Sequence, residues 1–405
     1  MGRFQKGVEM IVVPPLPDKL EQLTRTDYPR VSDAEMQRRR VLVEGLLRDK
    51  GCDHLIFCGA NRTGSVVQWL THWPVTNEAV GVFTPGERSA MFVQYVNHAE
   101  LASIIAKETD VAWGDPTSVA AAIGVLKQRK ARSGRVAFIG PLGARQYEAL
   151  SSEFGRIHDL NADYTRFRQV KSDEELDWFR IGAHFADLGM AALRNHLRPG
   201  ISEIELCALI EQAYVSLGGG HAIHFVGSTP MEAPTVPVPR QYPSHRRIAV
   251  GDAVSAEISA AFWDHSGQVL RSFTVGKEPN ALYRDLHRAA DAAFDAVCAV
   301  LRPGAMPADV IEAASVIEEA GFTIIDDLLH GYGGGYLAPI LGSKSRPAGP
   351  VPTEPFRAGQ TVVVQPNVVT RDRKAGVQMG ELVVITDSGV ERMHRYPRAF
   401  ETIAV

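Results

Sequence analysis

The stretch Gly251-Asp252-Ala253-Val254-Ser255-Ala256-Glu257, running on to Gln268-Val269-Leu270-Arg271-Ser272-Phe273-Thr274-Val275-Gly276, decides how this chain is read. Each half is a short apolar and β-branched run that begins or ends at glycine, the pattern of a turn-bounded strand. The stretch reads as two strands whose inward faces should carry catalytic groups. Working outward, the flanking sequence repeats itself. Leu197-Arg198-Pro199-Gly200 ends one long helix and Leu301-Arg302-Pro303-Gly304 ends another. Each is followed by a second amphipathic helix, from Glu203 to Leu217 and from Pro307 to Ala320. A His-bearing segment comes next, His221-Ala222-Ile223-His224 and Leu328-Leu329-His330-Gly331. A repeated helix, Pro-Gly turn and helix, flanked by strands, implies two similar halves around one site.

The first part of the chain is organised differently. Strand patterns at His54-Leu55-Ile56-Phe57-Cys58, Gly81-Val82-Phe83, Ala90-Met91-Phe92-Val93 and Val136-Ala137-Phe138-Ile139 alternate with helical apolar spacing over 119–130 and 144–154. At 405 residues two domains are expected: an α/β domain over residues 1–167 and a second over 168–405. The segment up to about residue 33 is rich in proline and is expected to run irregularly along the surface, until helix signals begin at Ser32-Asp33. The boundary falls at Arg168-Gln169-Val170-Lys171, after which Ser172 and Glu175 form a capping box for a long helix from Asp173 to about His196.

Composition narrows the function classes. The net charge of −4 is small, and Arg38-Arg39-Arg40 reads as the solvated face of the first helix, so no nucleic-acid partner is expected. No apolar run reaches the length of a membrane span, and no secretory core follows Met1-Gly2-Arg3-Phe4-Gln5-Lys6. Cys52, Cys58, Cys207 and Cys298 lack metal-ligand spacing and read as small buried hydrophobes in a reducing cytoplasm. Asp264 and His265 read as an exposed hairpin tip. Gly333-Gly334-Gly335 has no following Lys-Ser/Thr and reads as close approach of backbone to the site.

The hairpin, His330-Gly331-Tyr332-Gly333, Val364-Gln365-Pro366 and Val377-Gln378-Met379-Gly380-Glu381 together resemble the methionine aminopeptidase, prolidase and creatinase superfamily, the pita-bread fold. The resemblance covers essentially the whole chain. It implies an α/β (α+β) architecture, with an N-terminal creatinase-type α/β domain followed by a pseudo-symmetric pita-bread domain. In that family two divalent metals are held by two hairpin aspartates, a histidine, a glutamate before proline and a last strand glutamate. Carried onto this sequence, the positions are Glu257, Gln268, His330, Gln365 and Gly380. Metal pairs of the Mn, Co or Zn type need several anionic oxygens plus imidazole. Two neutral amides and a glycine do not supply them, and Glu257 with His330 falls short of even an open mononuclear zinc site. No metal and no cofactor are therefore expected. Glu381 is adjacent to the lost position; strand alternation is expected to turn it to the other face, and a slipped register would return it to hold one metal.

The metal-free creatinase branch of that resemblance uses histidine and glutamate to hydrolyse a C–N bond. Its catalytic histidine corresponds to Arg240 here, so creatine itself is not expected as substrate; Arg240 is either a carboxylate clamp or a solvated loop residue. His330 is the candidate base or acid. Glu257, its proton affinity raised by burial, is the candidate donor. Gln268 and Gln365 either offer N–H groups to an oxyanion or hydrogen-bond each other in a relict pocket. Gln378, His224 and Tyr332 complete the substrate-contacting set, while Leu337 stands where the family has a second histidine. The expected function is metal-independent hydrolysis of an amide, amidine or cyclic amidine in a small-molecule substrate. The alternatives are a residual metal-dependent Xaa-Pro peptidase, a lyase, or a non-catalytic binding protein. The resemblance also implies a homodimer, and the lack of a span-length apolar run leads us to expect no membrane partner.

Overall fold

The computed structural model describes residues 10–61, 65–333 and 335–405. It divides into two compact units, one of residues 27–168 and one of residues 169–405 with the segment up to Thr26.

The first unit is a six-stranded sheet in the order Thr109–Trp113, Ser89–Val93, Glu78–Phe83, His54–Ala60, Val136–Ile139, Ile157–Asp159. The central strand His54–Ala60 pairs antiparallel with one neighbour and parallel with the other. It is buried along almost its whole length, which is why it reads as a continuous apolar run. Helix Asp33–Asp49 starts where Ser32 accepts the Glu35 N–H. Arg39 departs from the solvated face expected of it. It is buried, with Nε on the Glu35 carboxylate at 2.7 Å and Nη1 on the Trp69 carbonyl at 2.8 Å.

The Pro-rich leader is not wholly irregular, because a short helix, Asp18–Thr24, forms within it. Pro17 precedes it with φ −55°, Asp18 and Glu21 sit in its first turn, and Leu20 is buried.

The second unit carries a ten-stranded sheet. Its main path runs Tyr336–Leu341, Leu329–Tyr332, Thr361–Val364, Gly380–Thr386, Val269–Val275, Asp252–Phe262, Gly220–Pro230. The repeat is visible in the backbone. Helix Asp173–His196, with the Ser172–Glu175 capping box, is followed by Gly200 at φ +87° and helix Glu203–Val215. Helix Ala281–Val300 is followed by Gly304 at φ +88° and helix Pro307–Ala313. A Cβ at either glycine would meet open space, so the left-handed backbone alone calls for glycine. The last helix is shorter than its apolar spacing implies. It breaks where the Ser315 N–H bonds back to the Glu312 carbonyl at 3.0 Å, a tighter turn, and resumes as Val316–Glu319.

Helix Asp173–His196 lies so close to the hairpin that a Cβ on Gly182 would stand 2.2 Å from the His265 carbonyl oxygen, and one on Gly267 2.3 Å from the Ala183 Cα. This contact buries the hairpin tip. His265, expected to be exposed, packs edge-on against Phe179 and beside Trp178. In the glycine-rich loop the close approach falls on Gly331, whose Cβ would lie 2.4 Å from the Ala338 carbonyl oxygen, rather than on Gly335. Gly334 lies outside the described residues. Among the described residues no helix is long and apolar enough to cross a membrane.

Candidate functional site

The entry to the hairpin is set by Asp252. Its carboxylate accepts the Ala249 N–H at 2.8 Å and both Arg246 amino groups at 2.5 and 2.9 Å, beside Gly251 at φ +90°. From there the register places Leu270 opposite both Glu257 and Gly380, and His330 opposite Val363. Opposed residues, and residues two apart along a strand, share a face. Glu257, Gln268, Gln378 and Gly380 therefore stand on one face with His330 and Gln365, and all their side chains are buried.

Gln268 Nε2 donates to one Glu257 oxygen at 2.8 Å and to Gln365 Oε1 at 3.1 Å, and Gln378 Nε2 donates to the other Glu257 oxygen at 3.2 Å. The carboxylate so takes up the amide N–H groups, and the carbonyl oxygens of Gln268 and Gln378 are left buried without partners among the described residues. The glutamines thus leave acceptors rather than donors unpaired, the reverse of the oxyanion-donor role expected for Gln268. Gln365 turns its Nε2 toward the Asp327 carbonyl at 3.5 Å.

Burial, reinforced by Asp326 and Asp327, raises the Glu257 pKa to about 8. The Asp326 pKa is raised to about 7 by burial and by Asp327, while Asn367 Nδ2 donates to both Asp326 oxygens. His330 Nδ1 faces the Gly331 carbonyl at 3.0 Å. A carbonyl only accepts, so Nδ1 carries the proton and Nε2 the lone pair. Nε2 is buried with no hydrogen-bond partner among the described residues, and burial lowers the ring's pKa against the opposing pull of Asp327. Tyr336 stacks on the imidazole with centroids 3.8 Å apart and donates to Asp327 Oδ1 at 3.2 Å.

The family's two-metal centre does not fit this geometry. Both Glu257 oxygens are occupied by amide N–H groups. At Gly380 a Cβ would stand 2.3 Å from the Val364 carbonyl oxygen and 2.7 Å from the Gln365 Cα, so the backbone has closed over the position of the last glutamate. Glu381 faces the other way, as alternation requires. It bonds Arg271 Nη2 at 2.6 Å and is chelated by Arg392. Burial alone would raise its pKa, but the two guanidinium groups, Arg271 foremost, hold it at about 2.

Two expected substrate contacts fall elsewhere, and a third has its hydroxyl already engaged. His224 lies opposite Ile258, not Glu257, and points away from the pocket toward helix Glu203–Val215, its Nε2 meeting the Tyr214 hydroxyl at 2.5 Å. Tyr332 is buried beside His330, but its hydroxyl is engaged with Ser266 Oγ at 2.8 Å. Arg240 is an exposed residue of the loop that crosses Gly227 through Pro239. Asp326, Asp327 and Asn367 were not singled out by sequence. An Asp-Asp pair before an apolar strand reads as an ordinary turn, and the fold alone carries it to Glu257.

A family model described as metallopeptidase family M24 matches residues 177–387. The chain is 25% identical over 281 residues to an uncharacterized hydrolase/peptidase of Sinorhizobium fredii, covering 64% of this chain and 66% of that protein, a little under two thirds of its length. It is 27% identical over 275 residues to a probable dipeptidase of Mycobacterium tuberculosis, covering 63% and 67%. Among solved structures, an X-Pro aminopeptidase of Thermotoga maritima superposes with a TM-score of 0.78 at 16% identity over 90% of this chain and 99% of that one. A dipeptidase of Mycobacterium ulcerans gives 0.74 at 21% identity over 93% and 100%. At these identities the structures establish the pita-bread fold. The match over 177–387, which spans the hairpin, His330, Gln365 and Gly380, places this chain in metallopeptidase family M24.

Proposed function

We propose that this M24 hydrolase cleaves a C–N bond in a small nitrogenous molecule, an amide, amidine or cyclic amidine, by acid–base chemistry of its own side chains. One observation carries the reading. The two hairpin positions where the family has aspartates hold Gln268 and Glu257, and both oxygens of Glu257, whose pKa is raised to about 8, are taken by Gln268 and by Gln378 from beyond the hairpin.

His330 Nε2 takes a proton from water as the water oxygen attacks the carbon. As the C–N bond breaks, Glu257 gives its proton to the departing nitrogen, and a proton passing from His330 to Glu257 resets the pair. The unpartnered Gln268 Oε1, Gln378 Oε1 and Asp327 Oδ2 favour a substrate that presents N–H groups, because a buried acceptor left unpaired costs about 1–3 kcal/mol. Asp327 beside His330 steadies the imidazolium while it lasts.

A second reading, cleavage of a peptide bond, draws its support from relatives named as dipeptidases and an Xaa-Pro dipeptidase of Pyrococcus furiosus. The test is one assay on the full chain. Small cyclic amidines and amides, and a set of Xaa-Pro dipeptides, are offered to chelator-treated protein and to protein supplied with Mn, Co or Zn. Our reading expects small-molecule turnover that survives chelation and is lost in Glu257→Gln. Cleavage of Xaa-Pro dipeptides that needs added metal would replace it with the peptidase reading.

A further inference from the structure

Strand Gly220–Pro230 carries a second cluster that the Glu257 pocket does not use. In a regular strand His221 and His224, three apart, would point to opposite faces. Here the pairing with Asp252–Phe262 shifts between His221 and Ile223. His221 lies opposite Ala260 and His224 opposite Ile258, with Ala222 as the extra residue of a β-bulge. The bulge turns both imidazoles to the same side, with ring centroids 4.5 Å apart. Glu211, on helix Glu203–Val215, meets them there, its Oε1 3.1 Å from His221 Nδ1. One donor atom from each of Glu211, His221 and His224 lies within 4.8 Å of the other two.

The His224 ring has the tautomer of a ligand, although its Nε2 now faces the buried Tyr214 hydroxyl. Its Nδ1 faces the Ile223 carbonyl, which only accepts, so the proton is on Nδ1 and the lone pair on Nε2. A backbone carbonyl on the far ring nitrogen is the usual support of a metal-bound histidine. The Tyr214 hydroxyl now donates to Nε2 and would turn aside on metal binding. His221 and Glu211 remain 36% and 45% exposed, leaving an approach from solvent and room for a water ligand.

We propose that Glu211, His221 and His224 bind a divalent transition metal of the zinc class, on the face of the sheet opposite Glu257. Imidazole and carboxylate in a two-to-one ratio suit Zn, Co, Ni or Cu rather than the oxygen-only shells of Mg or Ca. Two histidines, a glutamate and water form an open tetrahedral site. The ion ties helix to strand. This inference does not depend on the reaction at Glu257.

The test is calorimetric titration of chelator-stripped full-length protein with Zn²⁺, repeated with Co²⁺ while its visible absorption is followed. The site requires about one equivalent per chain at micromolar affinity or tighter, with the intense absorption of four- or five-coordinate cobalt. His221→Ala and Glu211→Ala must each weaken binding at least tenfold, and Glu257→Gln must leave it unchanged. Both His221 and Glu211 are partly exposed, so these variants keep the buried His224–Tyr214 contact intact. No binding below 100 μM, or binding that survives His221→Ala and disappears in Glu257→Gln, overturns the proposal.

Discussion

Replacing Glu257 by glutamine gives a prediction with a sign that ordinary surface chemistry does not share. Burial raises the Glu257 pKa from 4.5 to about 8 in the folded protein. Between those pH values the folded state holds a proton that the unfolded chain has released, so stability is greatest in acid and falls as pH rises toward 8. At about 1.4 kcal/mol per pH unit, the loss between pH 5 and pH 8 is on the order of 4 kcal/mol. Glutamine has no proton to lose. It also fits the hydrogen-bond pattern: one oxygen of Glu257 becomes an NH₂ group, and turning over either Gln268 or Gln378 offers that group a carbonyl oxygen that now lacks a partner. Glu257→Gln should therefore be close to neutral at pH 5 and stabilising by several kcal/mol at pH 8. Asp326, raised to about 7 by burial and by Asp327, contributes a slope of the same sign, but its share ends near pH 7. The decisive interval is pH 7 to 8, where the wild-type slope should persist and the variant's should be gone. Urea unfolding at a series of pH values, followed by the near-ultraviolet signal of the second unit, measures it. Equal slopes for the two proteins across that interval would refute a buried, protonated Glu257 and, with it, its role as proton donor.

Other expectations follow from the same geometry. Arg271→Met leaves Glu381 buried with only the more exposed Arg392, and should cost about 3–5 kcal/mol in chemical denaturation. Gly380→Ala puts a Cβ 2.3 Å from the Val364 carbonyl oxygen and should destabilise by about 1–3 kcal/mol, with Gln365 displaced and turnover reduced. His330→Ala should lower kcat by at least about a hundredfold on any substrate of the pocket, with a smaller change in KM, as removal of a general base requires. Wild-type kcat/KM should fall as pH rises through about 8 and Glu257 loses the proton it donates, a limb that chelators leave in place.

Much of this was legible in the chain. The turns at Gly200 and Gly304 are local events, dictated by a backbone that only glycine adopts freely, and so the repeat could be read directly. The capping box at Ser172 is equally local. The facing of Glu381 followed from strand alternation, because a period of two leaves a well-paired strand little choice. What escaped was non-local or depended on direction. Arg39 was misjudged because a carboxylate four residues back and a carbonyl thirty residues on dissolve the penalty of burying it. His265 was misjudged because the depth at which Gly182 and Gly267 let a helix settle is not written at the hairpin tip. The orientation of Gln268 and Gln378 depends on which neighbour has the stronger demand for N–H groups. Glu257 takes the N–H of both, and only the assembled site shows it within reach of both amides.

The substitutions also form one electrostatic argument. In the family this chain resembles, four carboxylates and an imidazole are buried together because two divalent cations balance them. Take away the cations and four buried carboxylates would repel one another in a medium that screens them poorly. Here Gln268 and Gln365 remove two of those charges and Gly380 a third. The carboxylic acid that stays, Glu257, is protonated near neutral pH. Charge loss has reached the neighbours as well, since Asp326, its pKa raised to about 7, is only partly ionised near neutral pH. A pocket in which neutral amides replace some ligands and protonation silences another is a consistent alternative to a centre that has merely lost affinity. It is also one that bulk metal analysis alone would misjudge. A metal held by Glu211, His221 and His224 would count as one equivalent while leaving Glu257 untouched. Metal stoichiometry becomes informative about catalysis only when it is measured in His221→Ala beside the wild type. Metal that remains in that variant and supports turnover would return this chain to the two-metal mechanism of its family, and metal that vanishes with His221 would not.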